Sequence, residues 1–273
     1  MNIFKKSILF LMLALLALPV FALAPQTIKV KSTSMNKEIP IMVILPDSYQ
    51  SGEKEYPVIY LLHGFGGNYR MWFDIKPNLP EIATQNDVIF VLSDGATSWY
   101  WDSPINENLK YETFTAKELV DFIDKNFRTV KSAKGRAITG LSMGGQGALF
   151  LALNHPDTFG AAGSTSGGVD IRPFPQNWDM AKNLGEYKDN KARWDEFAVM
   201  RKIEDLKPGR LALIIDCGTE DFFYKVNEAF HKKLLDLKIP HDYLTRPGVH
   251  NGDYWKNSID YQILFFKKFF DKK

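Results

Sequence analysis

Eight short β-type runs alternate with longer stretches of helical spacing, and this alternation constrains the fold more than any other feature of the chain. The runs are Ile28 to Val30, Ile39 to Leu45, Val58 to Leu62, Val88 to Leu92, Arg136 to Ile138, Ala161 to Ser166, Leu211 to Ile215 and Asp242 to Arg246. Several are unbroken Val, Ile and Leu, the pattern of strands covered on both faces, and such strands belong to parallel sheets whose crossover connections are helices. Helical patterns at Phe114 to Phe127 and Val226 to Leu237 lie where crossovers are required. The sequence therefore predicts an α/β fold built on a mostly parallel eight-stranded sheet flanked by helices.

Residues 25–273 carry no repeat, low-complexity tract or linker, and the apolar content of 45% suits one sizeable core, so they are expected to form one catalytic domain. Residues 169–207 break the rhythm. They hold Pro173, Pro175, Trp178, Tyr187, Trp194 and many charges without strand patterning, and their length predicts a lid-like insertion, with a solvated helical pair as the alternative. The chain opens with Lys5 and Lys6, an apolar run from Ile8 to Phe21, and small residues at Ala22 and Ala24. This pattern predicts a signal peptide over residues 1–22, cleaved after Ala22, an exported protein in the periplasm or secreted, and no stable membrane insertion after cleavage. The one cysteine, Cys217, excludes an internal disulfide and follows an apolar run, as a buried small hydrophobe would. Lys and Arg total 34 against 32 Asp and Glu, so the net charge of +2 gives no reason to expect nucleic acid as a partner. A neutral small-molecule or oligosaccharide substrate fits better, and nothing in the sequence sets an oligomeric state.

The chemistry is concentrated in Gly140-Leu141-Ser142-Met143-Gly144-Gly145, which follows the apolar strand Ala137-Ile138 and precedes a helical run from Gly147. A serine between strand and helix occupies a sharp, strained turn, and the glycines on either side remove Cβ atoms that would clash there. Ser142 is the predicted nucleophile, and the helix N-terminus beneath it favours the oxyanion formed when its hydroxyl attacks a carbonyl. A serine activated in this way needs a base, which in strand-turn-helix hydrolases comes last in the chain, after an acid. His63 precedes the serine, His155 ends its helix, His231 lies in a charged helix and His241 opens the last strand. His250, in the loop Pro247 to Gly252, remains as the base and then acid. For the acid, Asp216, Glu220 and Asp221 compete. Asp221 is favoured because it falls in the turn Gly218 to Asp221 before the next helix, where a capping role is the alternative. The glycine-rich turn after Leu62 supplies one oxyanion donor, the Phe65 N–H, and Met143 supplies the other. No metal-ligand spacing and no phosphate loop is found, so neither metal nor cofactor is expected.

Six segments resemble the esterase D, feruloyl esterase and mycolyltransferase family of α/β-hydrolases. They are Tyr60 to Gly67, Ser98 to Pro104, Tyr111 to Phe114, Gly140 to Gly145, Cys217 to Asp221 and Gly248 to His250. The resemblance implies the α/β-hydrolase fold, with Ser142, Asp221 and His250 as catalytic residues and Phe65 and Met143 as oxyanion donors. It also likens Trp99, Tyr100 and Trp101 to a loop lining the acyl pocket, against the plainer reading of aromatic packing beneath a loop. Gly67 stands where S-formylglutathione hydrolases tend to carry a cysteine, which disfavours that activity. The resemblance implies an esterase acting on acetyl or feruloyl esters of carbohydrates. An acyltransferase to a sugar acceptor is the first alternative, and a non-catalytic carbohydrate-binding or adhesion protein on the same fold is the second.

Overall fold

Strands β3 (Val58–Leu62) and β4 (Ile89–Ser93) are buried at every residue, as their unbroken apolar sequences require, and they pair in parallel at the middle of the sheet. A computed structural model describes residues 23–272, so the expected signal peptide lies outside the described residues. Before the centre, β1 (Gln26–Ser32) and β2 (Lys37–Ile44) form an antiparallel pair, and β2 runs antiparallel to β4. After it come β5 (Arg136–Gly140), β6 (Ala161–Thr165), β7 (Ala212–Gly218) and β8 (His241–Arg246), all parallel. The order across the sheet is β1-β2-β4-β3-β5-β6-β7-β8. This is an α/β-hydrolase fold, with the eight-stranded, mostly parallel sheet that the apolar runs predict.

The helices are α1 (Met71–Ile75), α2 (Leu79–Asn86), α3 (Tyr111–Thr113), α4 (Leu119–Asn126), α5 (Met143–Asn154), α6 (Met180–Leu184), α7 (Lys191–Phe197), α8 (Val199–Lys202), α9 (Tyr224–Asp236) and α10 (Gly252–Phe270). They cover both faces of the sheet. Val58, Tyr60 and Leu62 point into one apolar cluster with side chains of α4, α5 and α9, while Ile59 and Leu61 point into a second with Trp72, Leu79, Ile259, Ile263 and Phe266. The helix predicted over Phe114 to Phe127 is not uniform. A wide π turn at Phe114–Glu118 joins α3 to α4 and buries Phe114, Thr115 and Ala116 together, a change of spacing too small for apolar periodicity to register.

Residues 169–207 form α6, α7 and α8, and they are packed into the body of the molecule. Ile171, Met180, Leu184, Trp194, Val199 and Ile203 are buried in the same cluster as α5. Polar bonds reinforce this, since the Gln146 side-chain amide donates to the Phe197 carbonyl at 3.1 Å and Met200 N to the Val169 carbonyl at 2.8 Å. The insertion therefore supplies part of the core and, through Phe174 and Trp178, reaches the carboxyl ends of the strands.

Close backbone approach fixes α5 against the sheet. A Cβ added at Gly144 would overlap the carbonyl oxygens of Leu62 and His63, which belong to the main chain and cannot swing aside. Alanine in place of a helical glycine ordinarily stabilises by about 0.5–1 kcal/mol. Here the sign reverses: Gly144→Ala is expected to lower stability by roughly 2 kcal/mol or more, as overpacking does, measured as a drop in the urea midpoint at unchanged slope.

Candidate active site

Ser142 sits between β5 and α5 with φ 56° and ψ −118°, a conformation that costs a non-glycine residue about 1–3 kcal/mol and persists only when its surroundings enforce it. Those surroundings are hydrogen bonds. Leu141 N donates to the Leu62 carbonyl, Ser142 N to the Thr165 carbonyl at 2.9 Å, and Gly145 N and Gln146 N to the Ser142 carbonyl at 3.0 and 3.1 Å. The turn is thus tied to the ends of β3 and β6, and the hydroxyl stands at the carboxyl edge of the sheet.

His250 and Asp221 arrive there on two loops that are joined to each other. Thr219 N donates to the Arg246 carbonyl at 2.9 Å and Glu220 N to the Gly248 carbonyl at 3.0 Å, so the turn after β7 and the loop after β8 move as one. A Cβ at Gly218 would overlap the Gly248 carbonyl oxygen, which is why the two backbones can lie so close. Ser142 Oγ lies 2.9 Å from His250 Nε2, and His250 Nδ1 lies 2.8 Å from Asp221 Oδ2. The second Asp221 oxygen accepts from Phe223 N at 2.8 Å, so the fully buried carboxylate both caps the approach to α9 and faces the imidazole. With Nδ1–H donated to Asp221, Nε2 is free to accept the serine proton. Asp216 and Glu220 lie outside this chain of bonds. Asp216 is buried at the end of β7, where the Tyr254 hydroxyl donates to it and Arg246 pairs with it at 2.8 Å; burial raises its pKa above the usual carboxylate value.

Phe65 follows Gly64 in the turn after β3, and Met143 follows Ser142 at the start of α5. Gly64 lies against Ser142, its hypothetical Cβ 3.4 Å from Ser142 Cβ, and among the described residues neither Phe65 N nor Met143 N has a hydrogen-bond acceptor. Two unengaged backbone donors flanking a serine hydroxyl can receive an oxyanion. His63 braces this turn: its Nδ1 donates to the Gly64 carbonyl at 2.7 Å and its Nε2 accepts from Gly95 N at 2.8 Å. Burial lowers its pKa and keeps it neutral, the form that can make both bonds at once.

The expectation that Trp99, Tyr100 and Trp101 line a substrate pocket needs correction. All three are at most 1% exposed. Trp99 stacks on Trp101 at 5.5 Å, Trp101 packs edge-on to Phe197, and the Tyr100 hydroxyl donates to the His63 carbonyl at 3.2 Å. Positive φ at Trp99 and Tyr100 helps turn these rings inward, beneath the site. The rings that surround the imidazole are others. Phe222 lies 4.2 Å from His250 with its ring tilted by 36°, Phe223 packs edge-on at 5.6 Å, and Trp255 stands at right angles at 4.9 Å, held by a bond from its indole N–H to Ser166 Oγ at 3.1 Å. Sequence reading passes these over, since the only signal is their nearness in the chain to Asp221 and His250.

Cys217 is buried, and burial, with Asp221 and Asp216 nearby, pushes its thiol pKa up, the setting of a structural cysteine. A cavity of about 740 Å³ adjoins the outer side of the His250 loop, between Glu220, Arg246 and Tyr261, but neither Ser142 nor His250 lines it. Among the described residues no group of three or more His, Cys, Asp and Glu could hold a metal ion, and no helix is long and apolar enough to cross a membrane.

Residues 32–266 match the family described as "Putative esterase". An esterase of Mycobacterium tuberculosis is 28% identical over 237 residues, covering 77% of this chain and 52% of its own, so the chain spans about half of that relative's length. An acetyl esterase of Caldicellulosiruptor saccharolyticus is 25% identical over 253 residues, covering 84% of this chain and 92% of its own. The solved structure of a ferulic acid esterase superposes with a TM-score of 0.77 at 26% identity, over 90% of this chain and 98% of that one.

Two outcomes test the geometry. Gly218→Ala should push the Asp221 turn away from the His250 loop and slow fluorophosphonate labelling of Ser142 about a hundredfold, the scale of an ångström-sized misplacement. Folded His63 resists protonation, so as pH falls below the unfolded value of about 6.5 the unfolded chain binds the proton that the folded chain refuses, and stability declines. The fall in unfolding free energy between pH 7 and pH 5.5 should accordingly be smaller in His63→Gln than in the natural chain.

Proposed function

Because the chain belongs to the esterase family matched over residues 32–266, we propose that it is an exported serine esterase cleaving short-chain or aromatic acyl groups from carbohydrate esters. One observation carries the reading: the unbroken hydrogen-bond chain from Ser142 Oγ through His250 to Asp221, at 2.9 and 2.8 Å. The Ser142 oxygen attacks the ester carbonyl carbon as its proton passes to His250 Nε2. The carbonyl oxygen, now an anion, is held by the N–H groups of Phe65 and Met143. The imidazolium, steadied by Asp221, gives its proton to the departing alcohol, and the acyl group remains on Ser142. Water then attacks the acyl carbon, its proton passes to Nε2 and on to Ser142, and the carboxylic acid leaves. Neither metal nor organic cofactor is required by these steps.

The acyl and alcohol parts of the proposal draw on the acetyl esterase and ferulic acid esterase to which the chain is similar. Export draws on the charged and apolar pattern of residues 1–22. The same acyl-enzyme could pass its acyl group to a sugar hydroxyl instead of water, the alternative that product analysis resolves. The complete hydrogen-bond chain weighs against a non-catalytic binding protein.

Ser142→Ala should lower kcat/KM on 4-nitrophenyl acetate by about 10⁴-fold or more and abolish fluorophosphonate labelling. Retained turnover by the purified variant would overturn the proposal. With a sugar acceptor present, release of free acetate at the full rate of ester consumption marks a hydrolase, and an acylated sugar in its place marks a transferase.

A further inference from the structure

Phe222 is 52% exposed, although it touches the His250 imidazole. Its ring adjoins that of Trp178, which lies 5.6 Å away and only 21° from parallel. Together they make a two-ring shelf that begins at His250, exposed at Phe222 and half-buried at Trp178. We propose that this shelf is a stacking subsite for a neutral pyranose ring of the leaving alcohol, an inference that rests on the esterase reading and names where its carbohydrate is held.

Direction is the first argument. The alcohol oxygen departs beside His250 Nε2, because that nitrogen returns its proton, so the group attached to the oxygen lies on the imidazole flank of Ser142. The opposite flank is occupied by the Gly64-Phe65 turn, whose glycine packs against Ser142 itself. Chemistry is the second. A pyranose ring presents C–H bonds of slight positive character that suit the electron-rich face of an aromatic ring, and hydroxyls around its edge that need polar neighbours. The shelf offers both: aromatic surface at the exposed Phe222 and the partly exposed Trp178, and exposed polar side chains at their chain neighbours Gln176, Asn177, Thr219 and Glu220. An aliphatic chain would meet only two rings of apolar surface before reaching this polar rim.

Rigidity is the third. Trp178 and Asp179 both have positive φ, and the Trp178 carbonyl accepts the buried Trp99 indole N–H at 3.1 Å. Trp178 also packs on Phe223 at 5.2 Å and Phe174 at 5.7 Å. Strained backbone held this firmly beside a reaction centre favours a fixed binding surface over incidental exposure. Residues 169–207 thereby gain a purpose, since they carry one half of the shelf to the other.

The test compares two acetate esters, one of a pyranoside and one of ethanol, whose alcohol has no ring. Trp178→Ala should lower the ratio of kcat/KM for the sugar ester over the ethyl ester about tenfold, and Trp178→Phe should restore most of it. A second readout does not need turnover: xylotriose and cellotriose added to the Ser142→Ala protein should quench tryptophan fluorescence saturably, and the response should vanish when Trp178→Ala is added. An unchanged ratio, or failure of both trisaccharides to bind, would overturn the subsite even if the esterase reading stands. Should the esterase reading fail instead, trisaccharide binding to the Ser142→Ala protein still decides whether the shelf holds a sugar. A Trp178→Ala effect on a phenethyl ester but not on the sugar ester would also overturn the proposal, assigning the shelf to aromatic alcohols.

Discussion

Direct contact between main chains, with no side chain intervening, is the constraint on which the rest of this molecule depends. Two such contacts at the carboxyl edge of the sheet bear on the site. At Gly144 the first turn of α5 presses on the carbonyls of Leu62 and His63, and at Gly218 the turn after β7 presses on Gly248. The first contact sets the height of Ser142 relative to the Phe65 turn, and the second sets the separation of Asp221 from His250. Peptide groups pack without rotamer freedom, so the positions they define are firmer than any that side-chain packing alone would give. Ser142, Asp221 and His250 come from loops after β5, β7 and β8, yet these contacts hold them to hydrogen-bond distance.

Strain and burial are arranged around the same edge. Ser142, Ser166, Trp99, Tyr100, Trp178 and Asp179 all adopt positive φ although none is glycine. Each is fastened by neighbours. Ser142 N and Ser166 N bond to the carbonyls of Thr165 and Asp216, and Trp99 bonds to Trp178. The cost of these conformations, about 1–3 kcal/mol apiece, is offset by the apolar clusters on the two faces of the sheet. Neutral His63 belongs to this scheme too, as a buried polar strut whose two ring nitrogens are both satisfied.

Much of this was legible in the sequence because the physics is local. Unbroken apolar runs mark strands buried on both faces, and a serine flanked by glycines between strand and helix marks a tight bend. Chain order and place within the predicted elements separate His250 from four other histidines without any knowledge of space. What stayed hidden depends on contacts between distant segments. Trp99, Tyr100 and Trp101 are read in sequence as a pocket wall, but their inward direction follows from positive φ and from the approach of Phe197 and Gly147, neither of which their own sequence announces. Phe222, Phe223 and Trp255 are apolar residues among many until folding sets them around one imidazole. The π turn at Phe114–Glu118 escaped for the opposite reason, since it shifts the apolar spacing by too little to see.

The ion pair between Lys76 and Asp260, 2.7 Å long, joins residues 184 positions apart and ties α10 to the segment after α1. On the same side of the sheet, Ile259, Ile263 and Phe266 of α10 complete the cluster that contains Trp72 and Leu79. The loop bearing His250 leads directly into this helix, so the imidazole is held from two sides: by the backbone bonds to the turn after β7 and by the seat of α10 on the sheet.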